Sequence, residues 1–191
     1  MCKVRITAIM RRRERVEKTV IYGVFFFYVL LLMKILFFSR VSFFELFGTQ
    51  RTIDRAVNFI PFHSIIEYLS GRTETLRTFS YANVVGNIAI FMPLGAYLAL
   101  FRAGKGILAN LLFIFLASMM TEMIQWIFGI GTADIDDVIL NCIGGLVGIL
   151  GYKLLVCVLR DEKRAQTAIA ILSILGSPFV WYYLFMIKMR L

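Results

Sequence analysis

The amino-acid sequence predicts an all-α membrane protein: a bundle of about five transmembrane helices with a short interfacial or re-entrant helix between the first and second. Three observations predict it. The chain of 191 residues is 60% hydrophobic, with a mean hydropathy of +0.80, far above that of a soluble domain. Its apolar runs reach about 20 residues, the length that crosses roughly 30 Å of hydrocarbon. None of the runs alternates apolar with polar residues, so a β-barrel is excluded, and a helix is the other structure that satisfies its own backbone in lipid.

The first run, 20–38, follows a basic arm, 1–19, that carries Lys3, Arg5, Arg11, Arg12, Arg13, Arg15 and Lys18. The run is too long for a signal peptide and no small-residue cleavage site follows it, so it reads as an uncleaved anchor. Lys34, near its outer end, is expected to snorkel to the headgroups. The connection 39–81 mixes both signs of charge and includes NFIPFHSIIEYL at 58–69. There Pro61 starts a short helix with Phe62, Ile65, Ile66 and Leu69 on one side, a pattern for a membrane surface or a re-entrant turn. The second run, 82–101, contains Pro93, which removes a backbone bond and should kink the helix. The third spans 107–128. The fourth, 138–159, carries Gly144 and Gly148, a small-xxx-small pair that allows close helix contact. The fifth, 168–187, contains Pro178. Residues 20–159 form one transmembrane domain, and 160–191 add a cytoplasmic loop and the fifth helix.

The formal net charge of +9 would suggest nucleic acid in a soluble protein, but the positive residues lie where membrane orientation places them. The arm, the connection with Arg102 and Lys105, and the connection with Arg160, Lys163 and Arg164 fall on one side, read as cytoplasmic. The connection with Asp134, Asp136 and Asp137 has no Lys or Arg and is read as external, as is 39–81. Lys188 and Arg190 at the external C-terminus are a mild exception. The Arg11–Arg13 run is therefore an orientation signal resting on anionic lipid, and no nucleic-acid partner is expected. Cys142 and Cys157 lie about 22 Å apart on one helix, too far to bridge. With Cys2 they make no metal motif, and neither a metal nor a cofactor is expected. No nucleotide-binding motif is present.

The functional signal is carboxylate within apolar sequence. Ionisable groups are costly in a bilayer and are kept where they are paired, hydrated or used. With alternating helix direction and a rise of about 1.5 Å per residue, Asn87 lies roughly 7 Å below the outer surface, Glu122 about 9 Å and Asn141 roughly 7 Å. Asn83, Gln125 and Asp137 lie one turn above them on the same faces. Three helices thus deliver polar groups to one level of the outer leaflet. Asn87 and Asn141 also suit plain interhelical hydrogen bonding, and at least one aspartate suits capping of the fourth helix. Glu122 needs a partner or a proton, and is the strongest functional candidate. His63, the single histidine, suits an interfacial contact better than acid/base work.

NFIPF at 58–62, NVVGNIAIFMPLG at 83–95 and TEMIQWIFGIGTADIDDVILNCIGG at 121–145, in this order, resemble the VanZ-like family of bacterial membrane proteins, whose namesake is associated with teicoplanin resistance. On the family pattern the matching polar positions are Asn58, Asn83, Asn87, Glu122, Gln125, Asp134, Asp137 and Asn141. The resemblance implies a multi-pass protein of the bacterial cell membrane, N-terminus cytoplasmic, that lowers susceptibility to lipid-tailed glycopeptide antibiotics. Its implied partners are membrane lipid and a lipid-linked cell-wall precursor or the glycopeptide itself. Two other readings use the same residues: an intramembrane enzyme on a lipid-linked or headgroup substrate with Glu122 and Asp137 as acid and base, and a small transporter or scaffold.

Overall fold

Five helices are long and apolar enough to cross a membrane, in a computed structural model that describes residues 2–38, 57–58, 60–62, 66, 74–129 and 133–186. They are α1 (Cys2–Phe38), α2 (Glu74–Phe101), α3 (Ile107–Ile127), α4 (Ile135–Leu159) and α5 (Glu162–Trp181), the last running into a π-helical turn, Tyr182–Met186. Among the described residues the sole strands are β1 (Val57–Asn58) and β2 (Ala133–Asp134), paired in parallel. Of the short helix expected at 61–69, Pro61, Phe62 and Ile66 are described, and Ile66 N–H donates to Phe62 O at 2.8 Å, one helical turn. His63 lies outside the described residues.

α1 runs through the basic arm and past residue 19 without a break. Lys and Arg are good helix formers, and Arg13 pairs with Glu17 one turn on, at 2.8 Å. Between α3 and β2, Gly129 takes φ 60°, the left-handed conformation that glycine adopts at no steric cost. Arg160, at φ 53°, ends α4, and Asp161 then caps α5 by accepting from Lys163 N–H at 2.9 Å. Pro178 lies inside α5 and cannot bond to the carbonyl four residues back, that of Ile174. The Ser177 hydroxyl donates to that carbonyl at 2.8 Å, which satisfies it in an apolar surrounding.

The chain forms two compact units. The first comprises the chain to Ile35 together with Leu155–Met189. Its buried side chains include Ile21, Tyr28 and Leu31 of α1 and Ala165 and Ala170 of α5. At one end Lys163 Nζ meets Glu14 Oε1 at 2.7 Å, and the Thr167 hydroxyl donates to Glu17 at 3.3 Å. Towards the other end Trp181 packs on Phe27, with ring centroids 4.6 Å apart. Lys34 departs from expectation: instead of only reaching for headgroups, its ammonium donates to Leu184 O at 2.6 Å and Tyr183 O at 3.2 Å. The wide π turn ends the last helix, and carbonyls at a helix end attract a cation.

The second unit runs from Leu36 to Leu154, with Phe91, Leu94, Ile114, Val138 and Ile149 buried in it. Glycine decides how closely α2 and α4 approach. A Cβ added to Gly144 would collide with the Ile88 carbonyl, one on Gly148 with the Met92 carbonyl, and one on Gly95 with the Gly145 carbonyl. This is backbone-to-backbone contact along two turns, the arrangement that a small-xxx-small pair allows.

Candidate functional site

The α3–α4 junction gathers its polar groups by local rules first. Asp134 precedes α4, and its Oδ1 accepts from Asp136 N–H at 2.9 Å, an N-cap bond that satisfies one of the helix's free donors. Asp136 and Asp137 then fall in the first turn, where negative charge complements the helix dipole. The capping role expected for an aspartate thus belongs to Asp134.

Longer-range bonds attach this cap to two other elements. Glu122 lies less than two turns from the end of α3 and is only 6% exposed. Its Oε2 accepts from Asp134 N–H at 3.1 Å, so α3 holds β2 through the backbone. From β1, Asn58 Nδ2 donates to Asp134 Oδ1 at 3.2 Å, while Asn58 Oδ1 accepts from Ile60 N–H at 3.1 Å, an Asx-type turn. The turn delivers Phe62 N–H to Asp136 Oδ1 at 2.5 Å. Phe62 sits at φ 65°, a left-handed conformation that costs a side-chain-bearing residue about 1–2 kcal/mol. A hydrogen bond to a carboxylate contributes about 1.5–3 kcal/mol and offsets that cost.

The remaining candidates pair along the helices. Asn87 Nδ2 of α2 donates to Asp137 Oδ1 at 2.6 Å. Asn141, one turn further along α4 and 1% exposed, donates to the Ser118 hydroxyl of α3 at 2.9 Å. Ser118 itself lies one turn from Glu122. Gln125 Nε2 donates to Leu36 O at 2.9 Å. Asn83 is half-buried on α2, four residues before Asn87. Asn87, Glu122 and Asn141 therefore do not bond to one another: Asn87 takes Asp137, Asn141 takes Ser118, and Glu122 takes the Asp134 backbone.

Two of these partners go beyond the residues singled out from sequence. Asp136, 1% exposed, is the acceptor for the 57–62 segment, a role that its place in an aspartate cluster does not reveal. Ser118, 0% exposed, had a signal: it is four residues before Glu122 and so shares its face. Asn141 Oδ1 is buried with no hydrogen-bond partner among the described residues. A buried polar atom left in that state costs about 1–3 kcal/mol unless water or a ligand reaches it.

Beside this network lies a groove of about 400 Å³. Met119, Met123 and Trp126 of α3, Val57 of β1, and Ile135 and Val138 of α4 form its apolar lining, and Asn58, Glu122 and Asp134 are its polar members. Trp126 is thus a wall of the groove. The surface that this groove presents is almost wholly apolar, with Asn58, Glu122 and Asp134 behind it bonded within the network, so it suits an acyl chain.

Residues 25–156 match the family model described as VanZ/LLP1. Over 82 residues the chain is 37% identical to Protein VanZ of Enterococcus faecium; the match covers 43% of this chain and 51% of that protein. The chain therefore spans about half the length of this curated relative. No solved structure matches it significantly. The family model covers all the paired residues described above, from Asn58 to Asn141, and on this evidence the chain belongs to the VanZ/LLP1 family.

Proposed function

We propose that this VanZ-family membrane protein lowers susceptibility to lipid-tailed glycopeptide antibiotics such as teicoplanin, through the site at the outer end of α3 and α4. The observation that carries the reading is the apolar groove of about 400 Å³ edged by Glu122, Asp134 and Asn58. A lipid tail fits its Met and Trp walls, and Glu122 and Asp134, through their bonds to one another and to Asn58, hold those walls in place. The occupant is the glycopeptide's acyl chain or the lipid-linked cell-wall precursor that the antibiotic seeks; in either case antibiotic and precursor are kept apart at the membrane surface.

Glu122→Gln and Asp137→Asn test this, since each keeps size and polarity. Both variants should insert and fold, yet reduce protection against teicoplanin at unchanged membrane abundance. Full protection by both would mean that the charges are not needed. Protection that falls in step with abundance would reduce the carboxylates to structural partners.

The reading also requires orientation. With the N-terminus and the 160–167 connection cytoplasmic, the Asp134 connection faces outward. Single cysteines placed in a version lacking Cys2, Cys142 and Cys157 report this with an impermeant thiol reagent. A cysteine beside Asp134 should label in intact cells, and labelling only after the inner face is opened would overturn the outer-leaflet site.

A second reading, an enzyme acting on a lipid-linked substrate, draws on the unlike settings of Glu122, which is buried, and Asp134 and Asp137, which are half-buried. Carboxylates in unlike environments can divide acid and base roles. Lipid and headgroup analysis of cells with and without the protein separates the readings, because a new modified species would favour the enzyme.

A further inference from the structure

A second groove, of about 290 Å³, opens in the first unit at the basic ends of α1 and α5. Its lining has four cations, Arg13, Lys18, Lys163 and Arg164, and two acids, Glu14 and Glu17. Both acids are already occupied, Glu14 by Lys163 at 2.7 Å and Glu17 by Arg13 at 2.8 Å. The first of these pairs joins α5 to α1, and the second lies within α1. Arg164 reaches Asp161 only at 3.9 Å and its side chain is 74% exposed. Lys18 has no ion-pair partner among the described residues, and Arg15 and Arg11 continue its stripe one and two turns back along α1. The groove therefore carries surplus positive charge.

Its height is fixed by the sequence on both walls. The apolar run of α1 begins at Val20, two residues beyond Lys18, and that of α5 begins at Ala168, directly after Thr167. The Thr167–Glu17 hydrogen bond, 3.3 Å, aligns the two boundaries. The groove thus lies where lipid phosphates lie. One and two turns deeper on the Lys18 side, Tyr22 and Phe26 are more than half exposed, and Ile171 and Leu175 are likewise exposed below Thr167. We propose that this groove binds an anionic phospholipid of the leaflet on the N-terminal side: Lys18 and Arg164 take the headgroup phosphate, and the acyl chains lie along the exposed apolar faces beneath it. The paired acids act as a brace, while Lys18 and the loosely held Arg164 do the binding.

The test uses the purified full-length chain in detergent, with phosphatidylglycerol or phosphatidylcholine added, read by native mass spectrometry of retained lipid and by thermal melting. Phosphatidylglycerol should be retained and should raise the melting temperature, whereas phosphatidylcholine and inorganic phosphate should do neither. Lys18→Gln with Arg164→Gln should weaken phosphatidylglycerol retention about fivefold for each charge removed, the usual effect of one basic residue at an anionic surface. Lys18→Arg with Arg164→Lys keeps the charges and should keep the lipid. Arg102→Gln with Lys105→Gln removes the same charge from another connection and should change retention little. Equal retention of the two lipids would overturn the proposal, as would an equal loss in the Arg102/Lys105 variant or stabilisation by phosphate alone. Loss of lipid in the charge-keeping variant would likewise overturn it.

Discussion

Gly148→Ala is expected to lower the amount of folded protein sharply, although one methyl group is the whole change. The new Cβ would collide with the Met92 carbonyl on α2, and a backbone carbonyl cannot rotate aside as a side chain can. Overpacking commonly costs about 1–3 kcal/mol, and here the only relief is separation of two helices, so the cost belongs at the upper end. Gly148→Leu should be worse still. Gly151→Ala supplies the contrast: nothing lies within 4 Å of a Cβ at that position, and alanine favours a helix over glycine by about 1 kcal/mol. Its melting temperature should hold or rise. Membrane abundance and thermal unfolding in detergent check both, and equal behaviour of the two alanine variants would refute the close α2–α4 approach.

Asp134→Ala should release the 57–62 segment from the start of α4. One oxygen, Oδ1, accepts from both Asp136 N–H and Asn58 Nδ2, so the substitution removes the helix cap and the tie together. A lost cap alone costs about 1 kcal/mol, and the loss of both should reduce the population of the paired state roughly tenfold. Val57 and Ala133 are direct partners in the β1–β2 pair, and cysteines on neighbouring strands have Cα atoms about 5 Å apart, within disulfide range. Oxidative cross-linking of Val57→Cys with Ala133→Cys, in a chain without native cysteines, measures the pairing. The yield should be high with Asp134 or Asp134→Asn, which keeps the acceptor, and low with Asp134→Ala. A yield unaffected by Asp134→Ala would place the hold elsewhere.

Spans were legible because lipid selects for long apolar runs, and the five runs correspond to the five helices. Helix ends were less so. Hydropathy places the start of the fourth run at 138, yet α4 begins at Ile135, because Asp136 and Asp137 are polar residues held in a helix by its dipole and cap. α1 likewise extends back through the charged arm, there because Lys and Arg favour a helix and Arg13 pairs with Glu17 one turn on. The site shows a different limit. Depth arithmetic supplies the level of a side chain but not the direction in which it points around its helix. Asn87, Glu122 and Asn141 were therefore placed at one level, while their actual partners, Asp137, the Asp134 backbone and Ser118, depend on helix rotation. The β1–β2 pair joins residues 76 apart in two-residue strands, too short to leave any periodic pattern in the chain.

In lipid, two apolar helices gain little from burying their faces against each other, since the tails outside are as oily as the partner. Smooth faces of that kind are free to slide. Within the first unit α1 and α5 have polar fastenings at both extremes, Glu14 and Glu17 to Lys163 and Thr167 at one and Lys34 to the carbonyls of Tyr183 and Leu184 at the other. From Glu17 to Lys34 is about 25 Å of helix at 1.5 Å per residue. A slip of one turn, about 5.4 Å, would part both fastenings at once, with no intermediate position in which either is kept. The pair consequently behaves as a bolted joint: its axial stagger is locked in a single setting, and a change at either bolt, such as Lys34→Met, should show as sliding freedom in cross-links placed midway along the helices.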